Sequence, residues 1–108
     1  MKIVIAPDSF KGSLSAKEAA ASIAKGFSDV FPAAEIVQLP IADGGEGTTE
    51  TLVAATTGQL NSLMVSGPLG NAVNACWGLL GNSQIAVVEV ASACGLDMLD
   101  FNQRNPML

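Results

Sequence analysis

The sequence contains no histidine. That excludes a Ser-His-Asp triad, a Cys-His protease and a histidine-ligated zinc site within this chain. Any acid–base work falls to Asp, Glu or Lys. Cysteine is scarce: Cys76 and Cys94 stand alone, without C-x-x-C spacing. Two free thiols in a reducing compartment fit that usage. Both sit among apolar residues, where core packing would account for them. Positive charge is scarce as well. Arg104 is the one arginine and the formal net charge is −5, which argues against nucleic acid or an anionic membrane surface as a partner. No apolar run is long enough to span a bilayer. The run before Pro7-Asp8 is too short for the apolar core of a signal peptide, so a cytoplasmic protein is expected. The P-loop order G-x-x-x-x-G-K-[ST] is absent, as are internal repeats and low-complexity tracts.

Charged residues make up 14% of the chain, against about 25% in typical soluble proteins. Apolar residues make up 49%, and the mean hydropathy is +0.42. The 108 residues suit one domain, but so small a domain should be more polar. Two explanations stand: a tight homo-oligomer, or a fragment whose apolar faces are covered by further chain. The last residues favour the fragment. In Arg104-Asn105-Pro106, asparagine is a good helix cap and proline a good first helical residue. A helix is announced there and the sequence stops.

Lys2-Ile3-Val4-Ile5-Ala6 fits a strand buried on both faces. Ser15-Ala16-Lys17-Glu18 follows as an S-x-x-E capping box. Ala19, Ala20, Ile23, Ala24, Phe27, Val30 and Phe31 then recur at helical spacing, giving one apolar face. Pro32 ends that helix. Glu35 to Leu39 reads as a second strand, and a second helix is expected from about Glu46 to Thr57, with Leu52, Val53 and Thr56 or Thr49 inward. Gly58 is placed to end it in the left-handed cap conformation. Strand–helix–strand–helix implies a parallel sheet with right-handed crossovers. Leu60 to Ser66 and Ala72 to Leu80 then read as a hairpin, with turn chemistry in Gly67-Pro68-Leu69-Gly70-Asn71 and Trp77 packed within it. Gln84 to Val90, after Gly81-Asn82-Ser83, is a third run able to rejoin the buried sheet. Ala91 to Leu96 is rich in small residues, as beside a ligand or another backbone.

Chemistry concentrates in two loops, each after a strand and before a helix. In an open α/β sheet that is where ligands bind. Carboxylates, a lysine and several glycines there point to a phosphorylated ligand and a metal ion. In the first loop, Asp8 is suited to Mg²⁺ or a substrate hydroxyl, or equally to an Asx-turn. Ser9 reads as a partner for a substrate carboxylate or hydroxyl, or as a turn serine. Lys11 beside Gly12 and Ser13 is suited to phosphate, or is a solvated loop lysine. In the second, Gly44 and Gly45 allow a positive φ and close approach of a ligand. The helix start behind them offers N–H groups to an anion. Asp43 fits a general base or a metal ligand, and Glu46 a second carboxylate for Mg²⁺. The same pair has the spacing of a helix N-terminal box, although a cap does not need two glycines between its members. Glu89, late in an apolar strand, faces a site residue or metal, or points to solvent. Arg104 could grip a carboxylate or phosphate bidentately.

Three stretches resemble the signatures of the bacterial type-I glycerate kinase family. They are Ala6-Pro7-Asp8-Ser9-Phe10-Lys11-Gly12-Ser13-Leu14-Ser15-Ala16, Pro40-Ile41-Ala42-Asp43-Gly44-Gly45-Glu46-Gly47-Thr48, and Gly67-Pro68-Leu69-Gly70 followed by Trp77-Gly78. Val88-Glu89-Val90-Ala91-Ser92-Ala93-Cys94-Gly95-Leu96 is similar to the family's E-M-A-x-A-S-G-L, with Val90 for methionine and Cys94 for serine. The resemblance runs over the whole chain in one register and covers roughly the first third of a family member. It implies an α/β fold: a Rossmann-like, mostly parallel sheet with flanking helices and a β-hairpin excursion, as an incomplete fragment of a two-domain kinase. Residues 1–59 would be the first half of an α/β domain, and 60–108 the hairpin and strand region leading toward the second. The implied reaction is ATP-dependent phosphorylation of D-glycerate to 2-phosphoglycerate, with 3-phosphoglycerate the close alternative. Lys11 and Mg²⁺ would offset phosphate charge and Asp43 would orient or deprotonate the hydroxyl. Asp8, Glu46 or Glu89 would help hold the metal, and Ser9, Gly44, Gly45 and Arg104 would hold glycerate. The isolated 108 residues are expected to turn over little or nothing. The competing reading is a non-catalytic α/β module that binds a small molecule or partner.

Overall fold

The computed structural model describes residues 1–82 and 84–105. They form two compact units, dividing between Asp43 and Gly44.

The first unit runs β1 (Lys2–Ile5), α1 (Ala16–Val30), β2 (Glu35–Gln38). The two strands pair in parallel, from Lys2 opposite Glu35 to Ile5 opposite Gln38. Helix α1 starts where local chemistry dictates. The Ser15 side chain accepts the Glu18 N–H at 3.2 Å, and Glu18 Oε2 accepts the Ser15 N–H at 2.9 Å. This is the expected capping box, and it satisfies donors that a helix start leaves open. The backbone and hydroxyl bonds from Ser15 lower the Glu18 pKa from its ordinary value. The sign is that of a depressed carboxylate: the stabilisation is present above the ordinary Glu range and is lost as pH falls through the lowered value. Loss of the N-cap side chain in Ser15→Ala is expected to cost about 1 kcal/mol. Urea denaturation would read it as a lower midpoint at neutral pH, with the difference from the parent shrinking in acid.

The core of this unit is small. Ile5, Ala20 and Ala24 are buried, with Ile3 and Ile36 packed against them. Alanines on the inner face let α1 lie close to the strands. Its far end overhangs them: fifteen helical residues span about 22 Å against about 13 Å for a four-residue strand. The expected apolar face is therefore covered only along its first turns. Phe27 and Phe31, stacked at 6.4 Å, are each 41% exposed, and Val30 is 69% exposed. They line an apolar groove with Ile23 and Gly26. Burial of β1 on both faces is likewise not found: Val4 is 55% exposed. The helix packed on β1 within this unit covers one face only.

The second unit holds α2 (Thr48–Thr56), β3 (Gln59–Ser66), β4 (Ala72–Leu79), β5 (Ala86–Val88) and α3 (Val90–Cys94), then two short 3₁₀ turns. Strands β3 and β4 form the expected hairpin, from Gln59 opposite Leu79 to Ser66 opposite Ala72. Its turn closes through Gly67 N–H to Asn71 O at 2.7 Å, with Gly70 at φ +80°. Trp77 lies half-buried in β4, opposite Asn61 and Val88. Strand β5 does not join the parallel pair; it extends the hairpin, antiparallel to β4. Parallel pairing among the described residues is thus confined to β1 and β2. Cys76 and Cys94 are exposed, against the expectation of core packing. In the pleat, Cys76 shares a face of β4 with Gly78 rather than with Ala75 and Trp77, and stands two residues away from the position that α2 covers. The expected helix start at Asn105-Pro106 extends beyond the described residues, as does Ser83.

Helix α2 packs on β3 and β4 with Thr49 and Val53 buried, while Leu52 stays 38% exposed. It begins at Thr48 rather than Glu46 because Gly47 sits at φ +83°, outside helical space. Its end also differs from expectation. The left-handed residue is Thr57, at φ 54° and ψ 44°, and not Gly58. Gly58 meets a different requirement: a Cβ there would collide with Leu79 O and stand 3.1 Å from Leu80 Cα. The glycine is used for close approach to β4, and the threonine takes the turn instead.

Candidate active-site loops

Because β1 and β2 are parallel neighbours, the loops that follow them leave the same edge of the sheet. Backbone bonds continue the pairing past the strands: Leu39 N–H to Ile5 O at 2.8 Å and Ile41 N–H to Pro7 O at 3.0 Å. The segment before Asp8 is thereby tied to the segment before Asp43. The Ser9 N–H donates to Asp8 Oδ1 at 2.6 Å, so both residues serve the local loop. Lys11 is exposed in a tight turn. Phe10 and Leu14 bridge across it, the Ser13 N–H reaches Phe10 O at 2.9 Å, and Gly12 takes φ +71°. This first unit thus brings Asp8, Ser9, Lys11 and Asp43 to the loops of one sheet edge.

The second unit holds Gly44, Gly45, Glu46 and Glu89. Gly44 adopts φ +95° and its N–H donates to Thr48 Oγ1 at 3.1 Å. The same hydroxyl donates to Gly45 O at 2.8 Å, closing the loop on itself. The N–H groups of Gly47 and Thr49 donate to the two oxygens of Glu89, at 3.1 and 3.0 Å. The expectation of open N–H groups for an anion at this helix start is therefore not met at Gly44, Gly47 and Thr49. A carboxylate from the chain itself already occupies the position that favours negative charge. Glu89 does not point unpartnered to solvent. Arg104 is exposed near the end of the described residues, where its Nε donates to Leu99 O at 3.2 Å. Among the described residues no three His, Cys, Asp or Glu side chains gather as a metal cluster. No described helix is long and apolar enough to cross a membrane.

Two contributors went unread in the sequence. Thr48 clamps the glycine loop, and the only local cue was a threonine directly after Gly47. Ser92 in α3 accepts the Cys76 N–H of β4 at 2.6 Å and fixes the short helix to the sheet. No sequence pattern relates positions sixteen residues apart in this way.

Parallel strands that deliver carboxylate- and lysine-bearing loops to one sheet edge are an α/β arrangement, the class in which ligands bind beyond the carboxyl ends of the strands. The glycerate kinase family model matches residues 3–108, and the chain belongs to that family. It is 52% identical over all of its 108 residues to glycerate 2-kinase of Escherichia coli K12, and 53% identical to a glycerate kinase of Bacillus subtilis 168. It spans 28% of the length of each. A crystal structure from Salmonella typhimurium LT2, under the provisional name glycerate kinase 2, superposes with a TM-score of 0.77 at 52% identity. That match covers 98% of this chain and 29% of the other.

Proposed function

We propose that this segment carries acceptor-side residues of a glycerate kinase, which transfers the γ-phosphoryl group of ATP to a hydroxyl of D-glycerate. The observation that supports it most is identity above half, sustained over the whole chain, with relatives of that name. In this reading the glycerate hydroxyl oxygen forms a bond to the γ-phosphorus as the bond to the ADP oxygen breaks. The hydroxyl proton passes to Asp43. Phosphoryl transfer is governed by positioning and charge neutralisation. Lys11, held out on its tight turn, offsets phosphate charge, while Ser9, Gly44, Gly45 and Arg104 hold the acceptor. The acceptor oxygen is that of C2, giving 2-phosphoglycerate.

Mg²⁺ needs only one or two carboxylates when it shares the phosphates of ATP. The donor set suits that modest demand, since the loops carry hard carboxylate oxygens without a three-carboxylate cage. Asp8 or Glu46 would help hold the ion, which when bound neutralises phosphate charge. In the whole enzyme β1 and β2 would belong to a larger, Rossmann-like and mostly parallel sheet, from which the β3–β4 hairpin departs. The exposed apolar side chain of Val4 supports further cover on that face.

The test is a chimaera in which these 108 residues replace the matching segment of the E. coli enzyme. Glycerate-dependent ADP formation is expected within about tenfold of the parent, a barrier difference of about 1.4 kcal/mol. The 108-residue chain alone is expected to form none. Phosphorus NMR of the product would identify the acceptor oxygen. A cooperatively folded chimaera without turnover would overturn the reading in favour of a non-catalytic binding module.

A further inference from the structure

Helix α2 starts without a cap of its own. Its N-cap is Gly47, left-handed and lacking a side chain. The amides of Gly47, Thr48 and Thr49 nonetheless have partners, and two of the three rely on one distant residue. Glu89 lies between β5 and α3, and both of its oxygens are committed, one to the Gly47 N–H and one to the Thr49 N–H. Such bonds are charge-assisted and gain from the helix dipole. They hold the point where the glycine loop becomes helix.

We infer that Glu89 is a positioning residue for the Gly44-Gly45-Glu46-Gly47 loop, acting through the Gly47 and Thr49 amides rather than as a metal ligand. For its catalytic consequence the inference rests on the glycerate kinase reading. The geometry makes the carboxylate hard to replace. Glutamine offers one oxygen and turns an NH₂ toward the second amide donor. Aspartate is one methylene shorter and cannot reach both donors without movement.

Glu89→Gln, Glu89→Ala and Glu89→Asp in the chimaera test it. Gln and Ala are expected to lower kcat at least about tenfold with the KM for ATP within about twofold, the pattern of an interaction realised in the transition state. Because Glu46 belongs to the same loop, any rise in the Mg²⁺ concentration for half-maximal rate should come together with the faster exchange described next. Amide hydrogen exchange over residues 44–50 should quicken at least about tenfold while the β3–β4 hairpin stays protected. Asp should recover part of both effects. A Mg²⁺ requirement raised about tenfold, with exchange unchanged, would overturn the inference in favour of metal ligation. A lower melting point with kcat intact would reduce Glu89 to a structural cap and overturn it equally. A parent chimaera that forms no ADP would instead remove the kinase reading, and exchange in the same protein would still decide whether Glu89 holds the loop. If the alanine variant does not fold, the near-isosteric glutamine carries both readouts.

Discussion

Asp43→Asn in the chimaera is expected to lower kcat by about 10²-fold or more, the usual contribution of a positioned general base. The KM for glycerate should change by no more than a few-fold. Asparagine keeps the size and one oxygen of aspartate, so the loop can retain its backbone path, but it cannot take up the hydroxyl proton. The backbone bond from Ile41 to Pro7 lies outside the substituted side chain, so the loop anchor survives the change. Steady-state kinetics with saturating ATP would show the split. A turnover near the parent value would remove Asp43 from the proton transfer and leave it at most an orienting group.

The second large effect is on stability. Gly78→Ala is expected to destabilise the protein by about 1–3 kcal/mol, the typical cost of overpacking. Gly78 is buried in β4 beneath α2. A Cβ there would collide with Val53 Cγ2 and stand 3.1 Å from Thr49 Cγ2. Both threatened groups belong to side chains that seat α2 on the sheet, so relief means lifting the helix. Gly26→Ala supplies the opposite sign. Gly26 is interior to α1, and a Cβ there meets nothing within 4 Å. Alanine should gain about 0.5–1 kcal/mol by restricting the unfolded chain. Urea midpoints for the two variants should therefore move in opposite directions. Equal values would show that α2 is not held against β4 as described.

These effects mark the boundary of what could be read from residue order. The α1 cap was legible because its donor and acceptor lie three residues apart. The hairpin was legible because turn residues separate two apolar runs. The β1–β2 pairing followed from strand–helix–strand order, and with it the placing of the Asp8 and Asp43 loops on a common edge. Apart from the local Thr48 clamp, what escaped detection involved partners distant in sequence. β5 lies in an apolar run read as able to rejoin the buried sheet, and only its pairing with Trp77, Gly78 and Leu79 places it on the hairpin instead. Gly58 looked like a helix cap because a cap is a local property, whereas the collision it avoids lies with residues 79 and 80. Glu89 carried a clear signal, a carboxylate in an apolar strand. Its partners were backbone amides forty residues earlier, and backbone groups leave no trace in residue identity.

The two helices consequently differ in when they can be completed during synthesis. Helix α1 has its cap in place as soon as its own first turn is made. Helix α2 has nine residues, short enough to be marginal alone in water. The carboxylate that finishes its first turn lies 40 residues beyond Thr49. At about 5–20 residues per second, the nascent helix waits about 2–8 s for it. Until then the loop has only its local Thr48 clamp, and the bonds that join it to the helix are completed only after the strand preceding Glu89 has been made.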